Sequence, residues 1–109
     1  MSYSVITTPR FEKQAKRLVR KYRSLKKEIE ALITTLKLDP EQGTPITNHC
    51  FKIRLSISSK GKGKSGGGRV ITHVYVAGAT VFLLTIFDKS EQENISDAEL
   101  KELLQQIRK

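Results

Sequence analysis

The hydrophobic period of this chain switches near residue 50. Up to Leu36, apolar residues recur at three- and four-residue spacing, the period of a helix lying against a core. From Phe51 they alternate with polar residues, the period of a strand buried on one side. Helical stripes first, strands after them and one last stripe at the end make an α+β fold. At 109 residues, a single domain over 1–109 is the expected organisation.

Residues 4–8 are β-prone, and Thr8-Pro9 supplies an N-cap followed by proline at the first helical position. Phe11, Ala15, Leu18, Val19 and Tyr22 form the stripe of a first helix. Leu25, Ile29, Leu32, Ile33 and Leu36 form that of a second, which follows Ser24 and stops at Asp39-Pro40. Residues 41–48, with Gly43 and Pro45, read as a loop. Three strands follow. In the first, Phe51, Ile53, Leu55 and Ile57 oppose Lys52, Arg54, Ser56 and Ser58. In the second, residues 69–76, Val70, Thr72, Val74 and Val76 oppose Arg69, Ile71, His73 and Tyr75. Gly78 turns the chain into residues 80–87, apolar on both faces and therefore expected inside the sheet. Ser96 and Glu99 form the capping box of a last helix, with Ile95 placed to staple onto Leu100 and a stripe of Leu100, Leu103, Leu104 and Ile107. The expected order is β-α-α-β-β-β-α, with helices on one face of a mainly antiparallel sheet.

Charge narrows the function. Lys and Arg exceed Asp and Glu by nine, a surplus that favours a polyanionic partner. Residues 1–41 carry a net +5 and residues 88–109 a net −2. Between Glu41 and Asp88 there is no acidic residue, yet Lys52, Arg54, Lys60, Lys62, Lys64 and Arg69 lie there. Such a cluster carries a standing repulsion that a bound anion relieves.

Several chemistries find no footing. His49 and His73 sit on different elements with no carboxylate in residues 42–87, so no metal site and no cofactor is expected. Cys50, the lone cysteine, excludes an internal disulfide and lacks an evident base–acid pair. Gly63-Lys64-Ser65 is followed by three glycines and a strand, whereas a P-loop runs directly into a helix. No apolar run has the roughly 20 residues of a membrane span. No secretory pattern opens the chain, so the cytoplasm is its expected compartment.

What remains is cationic. If the two strands flanking the glycine-rich segment pair, Lys52, Arg54, Arg69, His73 and Tyr75 gather on one open sheet surface beside Lys60, Lys62 and Lys64. The glycines also let backbone N–H groups approach a phosphate.

The order of elements, Phe51-Lys52-Ile53-Arg54-Leu55, the Lys60-Gly-Lys-Gly-Lys64 run, Gly68-Arg69-Val70-Ile71 and Leu84-Thr-Ile-Phe-Asp-Lys89-Ser-Glu91 together resemble the RelE/ParE toxin superfamily, most closely its HigB-like, RelE-type branch. The resemblance covers nearly the whole chain. It implies a RelE-like fold and the toxin of a type II toxin–antitoxin module. Such a toxin enters the ribosomal A site, cleaves the mRNA there without a metal, and is silenced by a cognate antitoxin. Carried over by position, Lys52 is the expected base for the ribose 2′-OH, and Arg54 and Arg69 stabilise the phosphorane. Packed like charges would lower the pKa that such a base needs. Lys60, Lys62, Lys64, His73 and Lys89 are expected to hold RNA and Phe87 to stack on a base, with His73 also a candidate acid. The arginine and tyrosine that follow the last strand in the best-known RelE toxins have no counterparts, Ser90 and Ser96 standing near those positions. Two alternatives remain: a ParE-like gyrase inhibitor, and a catalytically weak module that binds RNA or antitoxin.

Overall fold

The computed structural model describes residues 2–61 and 66–107. β1 (Ser4–Thr7) leads through the cap residue Thr8 into α1 (Pro9–Lys21), and α2 (Leu25–Leu38) folds back from it. β2 (Thr44–Pro45) and β3 (Cys50–Leu55) precede a short 3₁₀ turn at Ser58–Lys60. β4 (Gly68–Tyr75), β5 (Thr80–Asp88) and α3 (Asp97–Gln105) complete the order. The sheet runs β1-β5-β4-β3-β2. β1 lies parallel to β5, and every other pair is antiparallel.

Thr8 explains how the first helix meets the sheet. Its hydroxyl accepts from the Phe11 N–H, the expected cap, and donates to the carbonyls of Leu83 and Leu84 at 3.0 and 3.1 Å. Those carbonyls lie at a bulge in β5, where Ile71 pairs with Thr85 and Thr72 with Leu83, leaving Leu84 as the extra residue. The cap therefore satisfies backbone groups at a break in the ladder as well as at the helix start.

Strand alternation sorts the core into two clusters. Phe11, Leu18, Leu25, Ile29, Leu32 and Leu36 of the helical hairpin pack on Phe51, Ile53, Val70, Val74, Val81, Leu83 and Ile86. Cys50, Ile71, Leu84 and Phe87 point the other way and are covered by Leu100 and Leu103 of α3. The expectation of helices on one face is corrected here: the hairpin takes one face and α3 the other. The reason lies in β5, whose residues from Leu83 to Asp88 are all buried and so need cover on both sides.

β2 departs from the loop expected over residues 41–48. Thr44 pairs with Lys52 and Pro45 with Phe51, a two-residue ladder too short to have a period of its own. Its proline sits on the sheet edge, where a missing donor is tolerated. Gly43 enters this edge at φ +96°, and a Cβ there would lie 2.4 Å from the Lys52 carbonyl oxygen. Among the described residues no helix is long and apolar enough to cross a membrane.

Gly43→Ala is expected to lower the thermal unfolding midpoint more than Gly61→Ala. Gly61 is also left-handed, at φ +76°, but a Cβ there meets nothing within 4 Å. The Gly61 change carries only the left-handed penalty of about 1–2 kcal/mol, while the Gly43 change adds a backbone clash. Equal losses in paired melts would contradict this.

Candidate phosphate-binding face

The β3–β4 register sets Arg54 directly opposite Arg69 and Lys52 opposite Ile71. Lys52 and Arg54, two residues apart, share a face by the pleat, and cross-strand partners share it too. All three cations therefore lie on the α3 side of the sheet. Arg54 is exposed and Lys52 half-buried. Arg69 keeps only 5% of its surface, and its Nη1 donates to the Gly68 carbonyl at 3.0 Å. Burial pushes the Arg69 guanidinium below its ordinary pKa, and the charge of Arg54 pushes the same way. Like charges directly opposite on paired strands repel, so an anion between these guanidiniums gains from both.

Lys52 donates from Nζ to Oδ1 of Asn94 at 3.1 Å. It stands between two clefts, one of about 380 Å³ shared with Gln42, Thr44 and Arg54, the other of about 300 Å³ shared with Asn94 and Ser96. Among the described residues neither Lys52 nor Arg54 forms an ion pair. Asn94 escaped the sequence reading because an amide in a turn between a strand and a helix carries no periodic signal.

Lys60 goes elsewhere. Its ammonium, with 8% of the side chain exposed, pairs with the fully buried Asp88. Asp88 also accepts from the Tyr22 hydroxyl at 2.6 Å and from the N–H and hydroxyl of Ser90 at 3.0 and 2.8 Å. Burial alone would raise the Asp88 carboxyl. The hydrogen bonds from Lys60, Tyr22 and Ser90 outweigh it and hold the group far below the usual carboxylate range. By strand alternation the Asp88 side chain lies on the hairpin face, opposite in sense to Phe87.

The other expected site residues are dispersed. His73 is buried four residues along β4 from Arg69, on the order of 13 Å away at strand rise. Its Nδ1 lies 3.7 Å from the Cys50 sulfur and its ring tilts against Phe82. The structure does not bring His73 to the arginines. Phe87 does stand opposite Arg69, but it is 4% exposed and belongs to the cluster under α3, so its ring is a core element rather than an open stacking surface. Lys89 is half-buried and donates to the Glu93 carbonyl at 3.0 Å. Tyr75 is half-buried at the far end of β4. Lys62 and Lys64 lie outside the described residues. Among the described residues no group of three His, Cys, Asp or Glu side chains could hold a metal ion.

The fold is thus a five-stranded α+β sheet with a helical hairpin on one face, and an arginine pair with a lysine on the other. Residues 4–109 match the family model described as the RelE toxin of the RelE/RelB toxin–antitoxin system, and the chain belongs to that family. Among solved structures it resembles a doubly substituted E. coli toxin RelE in the free state. The identity is 18%, the coverage 99% of this chain and 100% of that one, and the TM-score 0.61, a likeness of fold. The same E. coli mutant in complex with an antitoxin RelBc peptide aligns over 99% of this chain and 100% of that one, at 19% identity and a TM-score of 0.49.

Asp88→Asn is expected to cost about 3–5 kcal/mol of stability at neutral pH, because it leaves the buried Lys60 ammonium without its counter-charge. The native Asp88 carboxyl titrates below its unfolded value of about 3.9, so its contribution is complete above that value and fades as pH falls toward the folded one. Urea unfolding of wild type and variant should give a constant difference above about pH 5 that narrows below about pH 4. A difference that grows on acidification would contradict this assignment.

Proposed function

We propose that this chain is a ribosome-dependent mRNA endonuclease, the toxin of a type II pair, which cleaves message in the ribosomal A site without a metal. The Arg54–Arg69 cross-strand pair carries the reading: two guanidiniums on one face, with Lys52 two residues away on the same side. The reaction is attack by a ribose 2′-oxygen on the adjacent phosphorus. Lys52 takes the 2′-OH proton, the O2′–P bond forms, and the two arginines meet the charge that grows on the phosphorane oxygens. The P–O5′ bond then breaks, leaving a 2′,3′-cyclic phosphate and a 5′-hydroxyl. With His73 buried beside Cys50, the 5′-oxygen takes its proton from solvent, which makes for a slow enzyme. Phosphate charge is met by side chains, so the scheme needs no metal.

The Lys60–Lys64 run and the Leu84–Glu91 run favour the HigB-like branch. RNA contacts fall to Lys52, Arg54, Lys89 and the Lys62–Lys64 stretch. A cognate antitoxin with an acidic segment would complement the net charge of +9, and work on ribosomes would place the protein in the cytoplasm.

Arg54→Ala is the cleanest test, since the side chain is exposed and its loss spares the core. Cleavage on programmed ribosomes should fall about 100-fold or more, the usual cost of one transition-state donor, with the melting curve unmoved. Growth arrest on induction should be relieved in parallel. Arrest that persists with intact message, together with an SOS response, would instead support a gyrase inhibitor. Undiminished cleavage would overturn the site.

A further inference from the structure

Asn94 stands at the end of a braced turn. Its Oδ1 accepts from Lys52 Nζ at 3.1 Å and from the Ile95 N–H at 2.9 Å. Two donors on one oxygen fix which end of the amide faces the lysine. The turn is tied from several sides. Gln92 Nε2 donates to the Asn94 carbonyl at 3.0 Å and to Glu99 at 3.2 Å, and Lys89 donates to the Glu93 carbonyl. Glu99 is in turn paired with Arg10 of α1 at 3.0 Å. A single polar side chain is thus held against Lys52 by contacts that reach back to the first helix.

We propose that Asn94 is a positioning residue for Lys52, fixing the amine on the sheet face that also carries Arg54 and Arg69 while leaving it free of an added negative charge. The proposal rests on the cleavage reaction above. A neutral amine acting as base has two N–H bonds and one lone pair. Donating one N–H to a fixed acceptor restricts rotation about the Cε–Nζ bond and aims the lone pair. A carboxylate would orient the group equally well but would favour the ammonium form, which has no lone pair to accept the 2′-OH proton. A neutral acceptor fits the chemistry better. The charged groups on the surrounding elements are Arg54 on β3, Arg69 diagonally on β4 and Asp97 at the start of α3.

The near-isosteric Asn94→Asp variant tests this, measured as single-turnover cleavage of message on programmed ribosomes across pH. Asn94 is exposed, and a thermal melt establishes that the variant folds. The ascending limb of the pH–rate profile should move up by about one unit or more, the effect of an opposite charge in contact with the base. The rate at neutral pH should fall about tenfold accordingly. Asn94→Ala should lower kcat with KM little changed and leave the limb in place, whereas a purely structural residue would move only the melt. Lys52→Met should be inactive. An Asn94→Asp profile that superimposes on wild type, with Lys52→Met inactive, overturns the proposal alone. Full cleavage by Lys52→Met overturns both it and the role of Lys52 beneath it.

Discussion

A single buried carboxylate organises the cationic chain around it. Asp88 closes β5, and through it Tyr22 at the C-terminal cap of α1, the 3₁₀ turn's Lys60 and the following Ser90 are joined at one point. The energetics of such a site are one-sided: complete, it is nearly neutral against an apolar alternative, but with one partner missing it leaves a charge in the core. Glu28 braces the same turn from α2, accepting from the N–H and hydroxyl of Ser58 at 2.8 and 2.7 Å. The chain is thereby anchored where it leaves the sheet for the glycine-rich segment. On the return side, the Lys89 N–H donates to the Gly67 carbonyl at 3.0 Å.

This anchoring divides the cations of the middle segment into two kinds. Lys60 is neutralised on the hairpin face, while Lys52, Arg54 and Arg69 gather on the α3 face. Arg69 is held rigidly by burial, and Arg54 brings the exposed half of the pair. In the proposed site, such a pair would meet an anion approaching from solvent with its buried half already desolvated. The role of α3 follows from the same geometry. It seals Ile71, Leu84 and Phe87 next to the pair, and the turn leading into it brings Asn94 to Lys52.

Much of this was legible in the sequence, and the divisions are physical. The Thr8-Pro9 start, both hairpin helices, the three long strands and the Ser96 cap rest on local chemistry, and local patterns reported them. The shared face of Lys52 and Arg54 follows from strand alternation alone, and Arg69 joined them once pairing across the glycine-rich segment was assumed. What escaped depends on contacts distant in sequence. The absence of acid between Glu41 and Asp88 made Lys60 look available, but its counterion is Asp88, 28 residues away. Phe87 looked like a stacking surface until α3 covered it, although the two-sided apolar pattern of β5 already required a cover there. His73 has the right alternation and the wrong distance, since a face extends along a strand as well as across it. The two residues of β2 take their conformation from β3.

The most direct measurement is the chemistry of the cut ends, read on message recovered from programmed ribosomes incubated with the protein in EDTA. Lys52, Arg54 and Arg69 acting on a ribose 2′-oxygen and its neighbouring phosphate must leave a 2′,3′-cyclic phosphate on one fragment and a 5′-hydroxyl on the other, with EDTA making no difference. Fragments ending in 3′-hydroxyl and 5′-phosphate, or cleavage abolished by the chelator, would contradict the account.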